Sequence, residues 1–415
     1  MSTLPNHSVE ANRRPAAPPS VGRQFGSLFC ARPRLPAAVA SPHCSAIMSR
    51  LVLLVSGLTV FTAQVIVQAQ LELAIRIDSV PIVSVRGPTG TVTQVQWTDE
   101  PQDAIRWFHL GHVELLGGDR SLTDLGWSSS CFRCYRAVGV PSTNMVLIPA
   151  GTFQMGGNLN DGGPDELPVH SVYVSSFFMD RSEVSRSLYD EVYQWATNHN
   201  YAFERLGLGE AGHHPVQGIT WFDAMKWCNA RSEKEGRTPA YRIGPLVYRT
   251  GSEYPSVDWR NGYRLPTEAE WEKAARGGLR GMRFPFGNTI AHSQANYNSR
   301  NDYAYDVSPT VGYHPSCDGW SRACTTPGQY FPDNGYGLYG MAGNVGELCW
   351  DFYEADYYTS SPVSDPRGPP WGAYAVIRGG GWYEDASMCR VANRHYRFAW
   401  GGDISSGVGF RCVLP

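Results

Sequence analysis

The chain of 415 residues has little charge, no long run of lysine or arginine, and no unbroken apolar stretch of the ~20 residues that a membrane helix needs. Charged side chains make up 18% of the sequence, and the formal net charge is −3. A nucleic-acid surface requires a concentrated basic face, so we expect neither DNA nor RNA as a partner.

Glycine and aromatic residues are plentiful instead, with 44 Gly, 22 Tyr and 13 Trp. This composition argues against long helical bundles and is typical of a loop-rich fold whose aromatic side chains supply the core. The length is compatible with two or three domains, or with one large domain and appendages.

The first 47 residues differ in composition from the rest of the chain. Residues 1–47 are rich in Pro, Ala and Arg and lack apolar periodicity. Such a segment does not form a packed core. We interpret it as a disordered or misassigned extension in front of a start at Met48.

Residues 48–69 have the features of a secretory signal peptide. Arg50 precedes the apolar run Leu51–Val67, and small residues occupy the positions −3 and −1 before a cleavage at Gln70. A membrane anchor is the alternative, but polar residues interrupt the run. The pattern predicts a secreted, periplasmic or cell-surface protein with no membrane span after signal removal, in which disulfides are permissible.

Residues 70–140 show short apolar–polar alternation punctuated by Gly, Pro and Asp, which predicts a small all-β, sandwich-like domain. Within it, Cys131 and Cys134 form a CxxC pair. No second pair follows at zinc-finger spacing, and no thioredoxin-like helix pattern accompanies it. We interpret the pair as a local disulfide or as two structural cysteines.

A different, α+β pattern occupies residues 141–415. The segment Met145–Gly156 predicts a hairpin, and later segments carry helical periodicity with capping signals. The predicted helical features are a buried face at Leu188, Val192 and Trp195, N-caps at Thr220 and Thr267 with partners Asp223 and Glu270, and a helix end at Gly277 and Gly278.

Beyond Phe284 the chain has few regular runs for about 60 residues, a length usual for functional or metal-pinned loops. A disulfide between Cys317 and Cys324 would limit the freedom of this region in the unfolded chain. Asn and Asp side chains offer oxygen ligands here, although both residues also favour turns. The candidates are Asn296, Asn298, Asn301, Asp302 and Asp306.

The stretch Asn334–Trp350 contains five glycines, which indicates a segment folded on itself. Asn344 and Glu347 lie three residues apart within it. An amide, a carboxylate and backbone carbonyls are the oxygens that calcium prefers, so the stretch is a candidate metal site. The alternative is a packed turn with a surface glutamate.

Eight short motifs occur together between about residues 144 and 415. They are VLIPAGTFQMG (146–156), RLPTEAEWE (264–272), AARGG (274–278), NGYGLY (334–339), GNV (343–345), RGG (378–380), RVANR (390–394) and GFR (409–411). In this order they resemble the sulfatase-modifying-factor family, whose best-known members are formylglycine-generating enzymes, and in particular its exported bacterial members.

The resemblance implies a loop-rich, C-type-lectin-like fold, often pinned by calcium. Active members of the family oxidise a cysteine of a sulfatase polypeptide to formylglycine, using O2, copper and a pair of cysteines. The resemblance therefore implies a structural calcium ion, a copper ion if the chain is active, and a sulfatase-type polypeptide as partner.

The family's structural residues carry over to particular positions of this chain. The resemblance implies a disulfide between Cys228 and Cys412, and Cys349 with Cys389 as a substitute for a second family disulfide. The implied calcium ligands are Asn344, Glu347, Asn296 and the carbonyl of Tyr297.

The segment Gly379–Cys389 departs from the family's catalytic pattern GGSxxCxxxxC. Gly381 replaces the serine and Glu384 the first cysteine, which leaves Cys389 as the candidate catalytic thiol. A single thiolate binds Cu(I) poorly, so the oxidase activity is in doubt. The alternative is a non-catalytic lectin-like module that presents aromatic and acidic side chains to a glycan or protein ligand. Its candidate binding residues are Trp382, Tyr383, Glu384, Asp385 and Trp400.

Overall fold

The structure is a computed structural model that covers most of the chain beyond residue 71. It describes residues 52–55, 72–77, 81–87, 91–99, 107–115, 120–124, 133–142, 144–157, 159–300, 302–317, 324–400 and 407–415. The predicted extension 1–47 lies outside the described residues, as do Cys131, Asn301 and all of the predicted signal peptide except Val52–Val55.

Seven strands lie before residue 141 in the described part of the chain. They are β1 (Val52–Val55), β2 (Glu72–Ile77), β3 (Pro81–Arg86), β4 (Val92–Thr98), β5 (Phe108–Glu114), β6 (Arg120–Thr123) and β7 (Arg133–Val140). They form two antiparallel sheets in the orders β1-β7-β4-β5 and β2-β3-β6. Alternate residues such as Leu73, Val83 and Val95 are buried in one apolar cluster, because successive side chains of a strand point to opposite faces.

Strand β1 lies inside the predicted signal peptide. Its backbone pairs with β7, with Val52 opposite Arg136 and Val55 opposite Arg133. Removal of residues 48–69 would therefore leave β7 without this neighbour. The signal peptide stays a prediction.

The β-rich region is hydrogen-bonded to the residues that follow it. Gln94 accepts a hydrogen bond from the backbone N–H of Leu147 at 2.8 Å, and Gln96 donates to the carbonyl of the same residue at 3.3 Å. The backbone N–H of His109 donates to the carbonyl of Gly335 at 2.9 Å. Residues 47–415 accordingly form one compact unit, with no gap at the predicted boundary near residue 140.

The remaining elements are short strands around three helices. The strands are β8 (Met145–Ile148), β9 (Gly151–Met155), β10 (His170–Val174), β11 (Phe177–Asp180), β12 (Tyr241–Ile243), β13 (Leu246–Val247), β14 (Ser256–Val257), β15 (Gly346–Phe352), β16 (Tyr374–Arg378), β17 (His395–Phe398), β18 (Val408–Gly409) and β19 (Val413–Leu414). The helices are α1 (Arg186–Thr197), α2 (Trp221–Lys234) and α3 (Glu268–Arg276).

These strands form four small sheets, in the orders β10-β9, β19-β11-β8, β13-β12-β14 and β17-β16-β15-β18. The predicted hairpin of Met145–Gly156 is wrong, because β8 pairs with β11 and β9 pairs with β10. Lys273 of α3 donates to the carbonyls of Pro149 and Gly151, which holds the connection between β8 and β9 against the helix. Tertiary contacts therefore direct the two strands into different sheets.

The helix starts follow local capping chemistry. Thr267 accepts a hydrogen bond from the N–H of Glu270, whose carboxylate accepts from the N–H of Thr267 at 2.9 Å, which confirms the predicted capping box. Gly277 ends α3 with φ of 55°, a conformation that glycine adopts without steric cost. Thr220 caps α2, but Asp223 does not complete a box because its carboxylate accepts from the N–H groups of Glu204 and Arg205 instead.

The long loop region is confirmed. Between α3 and β15 the described residues contain no helix and no strand. The fold is α+β and rich in loops, as predicted. None of the helices among the described residues has the length and apolar character needed to cross a membrane.

Candidate functional site

Cys389 is fully buried, in an apolar cluster with Phe284 and Tyr297. Its Sγ lies 3.7 Å from the carbonyl of Asp385. Burial, reinforced by the negative charges of Glu384 and Asp385, raises the pKa of the Cys389 thiol well above its usual range. A thiol in this environment is protonated near neutral pH, and only the thiolate is a good nucleophile and metal ligand.

The apolar cluster around Cys389 contains no second cysteine with which it could form a two-thiolate copper site. Cys349 is also buried, with its pKa raised by burial, but it packs in a different cluster with Trp271 and Val376. Cys349 and Cys389 are both unbonded thiols in the structure, and the link implied between them stays a prediction. Copper, which needs soft ligands in pairs, does not fit the surroundings of Cys389.

Glu347 is a fully buried partner of Arg411 rather than a surface glutamate. The two side chains form a bidentate ion pair, with N···O distances of 2.6 and 2.7 Å. The indole of Trp271 also donates to the carboxylate at 2.9 Å. Both oxygens are therefore engaged, and a calcium ion would have to displace a guanidinium to reach them.

The other implied calcium ligands are also largely engaged. Asn344 accepts from the N–H of Thr326 at 2.8 Å, and the carbonyl of Tyr297 lies 3.1 Å from Nε2 of His292. Only Oδ1 of Asn296 is buried without a hydrogen-bond partner among these groups. Calcium takes six to eight oxygens, with carboxylates among them. These four residues do not supply such a set, and no group of three His, Cys, Asp or Glu in the described residues does so.

We expect chelation to leave the stability of the purified protein unchanged. Because Arg411 already neutralises Glu347, removing calcium would not leave a buried carboxylate without a counter-ion. Thermal unfolding in 1 mM CaCl2 and in EDTA measures this directly, and the Asn344→Ala variant serves as the matched control. A chelator-induced fall in Tm that this variant abolishes would instead establish the calcium site.

Three further cysteine predictions concern disulfides. The sulfurs of Cys228 and Cys412 lie 3.6 Å apart, close to each other but as two thiols, so this pairing stays a prediction. Sγ of Cys317 lies 3.7 Å from the carbonyl of Cys324. The pair of Cys131 and Cys134 cannot be placed, since Cys131 lies outside the described residues.

The candidate binding residues 382–385 form a tight turn that is mostly bonded to itself and to β17. Glu384 accepts from the N–H of Gly381 at 2.8 Å, and Asp385 accepts from the hydroxyl of Ser387 at 2.5 Å. The hydroxyl of Tyr383 accepts from Arg397 at 3.2 Å. Trp382 is partly buried, with an indole ring 5.7 Å from that of Tyr313. The acidic groups therefore hold the turn rather than face solvent.

Trp400 belongs to a separate surface, on the opposite side of β17. Along this strand His395 and Arg397 are partly buried beside the turn, whereas Tyr396 and Phe398 are exposed, because side chains alternate between faces. We call the exposed surface the aromatic face. It consists of Tyr353, Tyr374, Tyr396, Phe398 and Trp400.

The rings of the aromatic face contact one another in a continuous series. Tyr353 stacks on Tyr396 with centroids 4.1 Å apart, and Tyr374 meets Tyr396 at 5.2 Å. Phe398 lies 6.3 Å from Trp400 and is 53% exposed. Large exposed apolar patches on soluble proteins mark interaction sites. The face is therefore the strongest candidate ligand-contact surface on β17.

A set of buried arginine–carboxylate pairs was not predicted from the sequence. Except for Arg264 and Glu270, the paired residues lie far apart in the chain, so local patterns give no signal beyond the arginines of the RGG, RVANR and GFR motifs. The pairs are Arg231 with Asp180, Arg264 with Glu270, Arg378 with Glu272, Arg390 with Glu166, Arg394 with Glu268, and Arg411 with Glu347.

Glu183 was also missed, and it is a buried acidic residue near these pairs that lacks a cationic partner at hydrogen-bond distance. It is almost fully buried, and Asn344 donates to its Oε1 at 3.0 Å, while Oε2 has no partner among the described residues. Burial, with the charge of Glu347, outweighs the attraction of Arg411 and raises the pKa of Glu183 to about 7.

Comparison with known proteins agrees with this fold. A family model described as the sulfatase-modifying factor enzyme 1-like domain matches residues 135–415. The chain is 35% identical over 288 residues to the formylglycine-generating enzyme of Thermomonospora curvata, covering 65% of this chain and 92% of that protein. It is 36% identical over 275 residues to the serine/threonine-protein kinase Pkn1 of Chlamydia trachomatis serovar L2, covering 65% of this chain but only 38% of that protein.

Among solved structures, the Treponema denticola variable protein 1 is similar in fold, with a TM-score of 0.51 and 28% identity, covering 65% of this chain and 94% of that one. The family model covers most of β7 and the loop-rich region that follows it. The chain therefore belongs to the family of proteins that carry a sulfatase-modifying factor enzyme 1-like domain.

Proposed function

We propose that this chain is a non-catalytic member of the family that binds a ligand through the aromatic face. The observation that carries the proposal is that Cys389 is buried and protonated while a separate series of aromatic rings is exposed. Oxidation of a substrate thiol through copper needs two accessible thiolates, which the part of this chain described around Cys389 does not present. Ligand binding needs only the exposed surface.

The proposal predicts that the protein does not make formylglycine. The purified chain is incubated in air with Cu(I) and a Cys-x-Pro-x-Arg peptide, and the peptide mass is followed. The mass of the cysteine peptide should stay unchanged. Conversion of its thiol to an aldehyde would restore the family's oxidase reaction as the function.

An extended polypeptide is the ligand class that the surroundings of the aromatic face favour. Strand β17 is the edge strand of the sheet β17-β16-β15-β18, and no described strand pairs with its outer side. An edge strand offers free N–H and carbonyl groups to a further strand, while alternate exposed side chains provide contacts. Tyr396 and Phe398 are two residues apart and so project from the same face of the sheet, where they can contact the side chains that an added strand presents on that face.

A glycan is the second ligand class, since exposed aromatic rings also stack on sugars. Trp400 supports it, because one face of its indole stacks on Phe352 with centroids 5.7 Å apart and the ring is 44% exposed. A glycan gains nothing from the backbone edge of β17. Competition between a peptide and a glycan for binding, and modification of the peptide backbone, therefore distinguish the two ligand classes.

We predict that linear peptides selected from a display library bind about tenfold more weakly to Phe398→Ser and to Tyr396→Ser, because truncating a central aromatic contact removes most of its binding energy. Isothermal titration calorimetry measures the affinities. Leu246→Ser, an exposed apolar substitution in β13, is the matched control and should not change them.

N-methylation of alternate amides in a selected peptide should abolish binding, because it removes the donors of an added strand. Binding that survives this change contradicts strand addition. Enrichment of sugars on a glycan array, without any bound peptide, would identify the glycan as the ligand. No binding by either route would refute the proposed function.

We also propose that the protein is exported. The support is the predicted signal peptide of residues 48–69 and the apolar run within it. N-terminal sequencing of the protein recovered from its native cells decides the matter. A mature chain that begins near Gln70 agrees with export, and one that retains residues 1–47 refutes it.

A further inference from the structure

Strands β4 and β5 are hydrogen-bonded to the domain body, by which we mean the part of the family domain that follows β7. Two side chains of β4 bond the backbone of Leu147, and β5 bonds the carbonyls of Gly335 and Met145. We call this set of contacts the junction. It consists of Gln94, Gln96, His109 and His112 on one side and Met145, Leu147 and Gly335 on the other.

The hydrogen bonds of the junction require His109 to be neutral. The backbone N–H of Leu147 can only donate, and it donates to Oε1 of Gln94 at 2.8 Å. The amide nitrogen of Gln94 therefore faces Nδ1 of His109, at 3.3 Å. This amide nitrogen is a donor, so Nδ1 must accept and carries no proton. A protonated His109 would place two donors against each other, and the Gln94 amide cannot turn over without losing its bond with Leu147.

His112 is held in the neutral form by a nitrogen that has no partner. Its Nε2 donates to the carbonyl of Met145 at 3.0 Å, because a carbonyl oxygen can only accept. Its Nδ1 is buried and has no hydrogen-bond partner among the described residues. Protonation of Nδ1 would therefore create a buried, charged N–H without an acceptor, which costs free energy.

The charges around the two rings also oppose protonation. The ring centroids of His109 and His112 lie 4.7 Å apart, so two imidazolium ions would repel each other. Burial, followed by the charges of His112 and Arg181, lowers the pKa of His109 to about 3. Burial, with the charge of Arg181, lowers the pKa of His112 to about 4, although the bond to Met145 acts in the opposite direction.

The elements around the two rings carry few other titratable groups. Strands β4 and β8 have none. In the loop before β15, Asp333 and Tyr339 interact with Arg181. The other charged groups of the adjoining strands are exposed, or donate to Gln96 in the case of Arg136: they are Glu114 of β5, Arg120 of β6 and Arg136 of β7.

We propose that the junction is an acid-sensitive switch, in which protonation of His109 and His112 releases β4 and β5 from the domain body while the domain body stays folded. Each side has an apolar core of its own. The cluster that contains Val83 and Val95 includes no residue beyond Ala137, and the two large clusters of the domain body include none before Met145. The switch does not involve the aromatic face, so it stands independently of the ligand proposed above.

The direction of the switch follows from the two pKa values. In the open junction both histidines regain the ordinary pKa of 6.5, whereas in the closed junction their pKa values are about 3 and 4. The open state therefore binds more protons once the pH falls below 6.5. The closed junction is most stable above pH 6.5 and loses stability as the solution becomes more acidic.

Hydrogen exchange of the full chain, followed by mass spectrometry at pH 7 and pH 4.5 and corrected for the intrinsic effect of pH, tests the switch. We expect peptides that contain His109 and Leu147 to lose protection by about a hundredfold or more at pH 4.5. Peptides from α2, which packs in the core of the domain body, should remain protected at this pH.

Two substitutions preserve the hydrogen bonds of the junction but cannot titrate. His109→Asn keeps an acceptor near the position of Nδ1, and His112→Gln keeps a donor near the position of Nε2. The double variant, shown to be folded at pH 7 by circular dichroism, should protect the junction equally at pH 7 and pH 4.5. His199→Gln, an exposed substitution after α1, is the matched control and should lose protection in acid as the unmodified chain does.

Undiminished protection of the junction at pH 4.5 would overturn the proposal. Equal loss of protection in the junction and in α2 would overturn it as well, because acid would then unfold the whole domain. If the double variant does not fold, His112→Gln alone carries the test, and it should reduce the loss of protection by about tenfold or more. A loss as large as that of the unmodified chain would exclude the histidines as its cause.

Discussion

Arg411→Met is expected to lower the free energy of unfolding by about 3–5 kcal/mol, because it leaves the Glu347 carboxylate buried without its cation. Both side chains are completely buried, and their N···O distances are 2.6 and 2.7 Å. Arg411 also donates to the carbonyl of Tyr339 at 2.9 Å, which the variant leaves unpaired. Urea unfolding followed by tryptophan fluorescence measures the change.

Two companion variants separate loss of the charge pair from loss of packing. Lys234→Met breaks an exposed pair with Glu191 and should cost no more than about 1 kcal/mol. The double variant Arg411→Met with Glu347→Gln should recover part of the loss, because it removes the uncompensated charge and keeps an acceptor for Trp271. If Arg411→Met costs no more than Lys234→Met, the buried pair does not stabilise the fold.

Local features of the fold could be predicted from the sequence, because their chemistry is contained in a few adjacent residues. Thr267 and Glu270 form their capping box across three residues, and Gly277 ends the same helix. The loop-rich region before β15 could also be predicted, since no periodic pattern crosses it. The motif order identified the family without any of the tertiary contacts.

Features set by distant residues could not be predicted in this way. The Met145–Gly156 hairpin failed because Lys273, more than a hundred residues away, binds the carbonyls between the two strands. Arg390 pairs with Glu166 across 224 residues of chain. Glu347 gave the same local signal as a metal ligand or a surface residue, and its burial against Arg411 is visible only in the structure.

The grouping of the candidate binding residues could not be predicted from the sequence either. Sequence reasoning grouped Trp400 with residues 382–385 as one binding set, because they are close along the chain. The structure divides them, since His395 and Arg397 turn toward the 382–385 turn while Tyr396 and Phe398 face outward. The alternation is visible in the sequence, but the side that faces solvent is decided by what β16 and the turn cover.

The second large expected effect is a change in the pH dependence of stability when Glu183 is substituted. We expect Glu183→Gln to stabilise the protein by about 3 kcal/mol at pH 8 and to have little effect at pH 4. The carboxyl has an ordinary pKa of 4.5, and burial raises it to about 7 in the folded chain. The folded state therefore binds this proton more tightly than the unfolded state does.

The sign of the pH dependence follows from these two pKa values. Below pH 4.5 the carboxyl is protonated in both states and contributes no difference. As the pH rises through 4.5 toward 7, the unfolded chain ionises while the folded chain must keep the proton or bury a charge, so native stability falls. Glutamine cannot ionise, so the Glu183→Gln variant does not lose stability in this pH range.

Urea unfolding of both proteins at pH 4, 6 and 8 measures the effect, and the difference in unfolding free energy should grow with pH. Glu191→Gln, an exposed change, should show a flat difference. A pH-independent difference for Glu183→Gln would mean that the folded-state pKa of Glu183 is not raised. A buried carboxyl that costs stability at neutral pH is expected where its charge or its proton serves a function, since residues with strongly shifted pKa values cluster at functional sites.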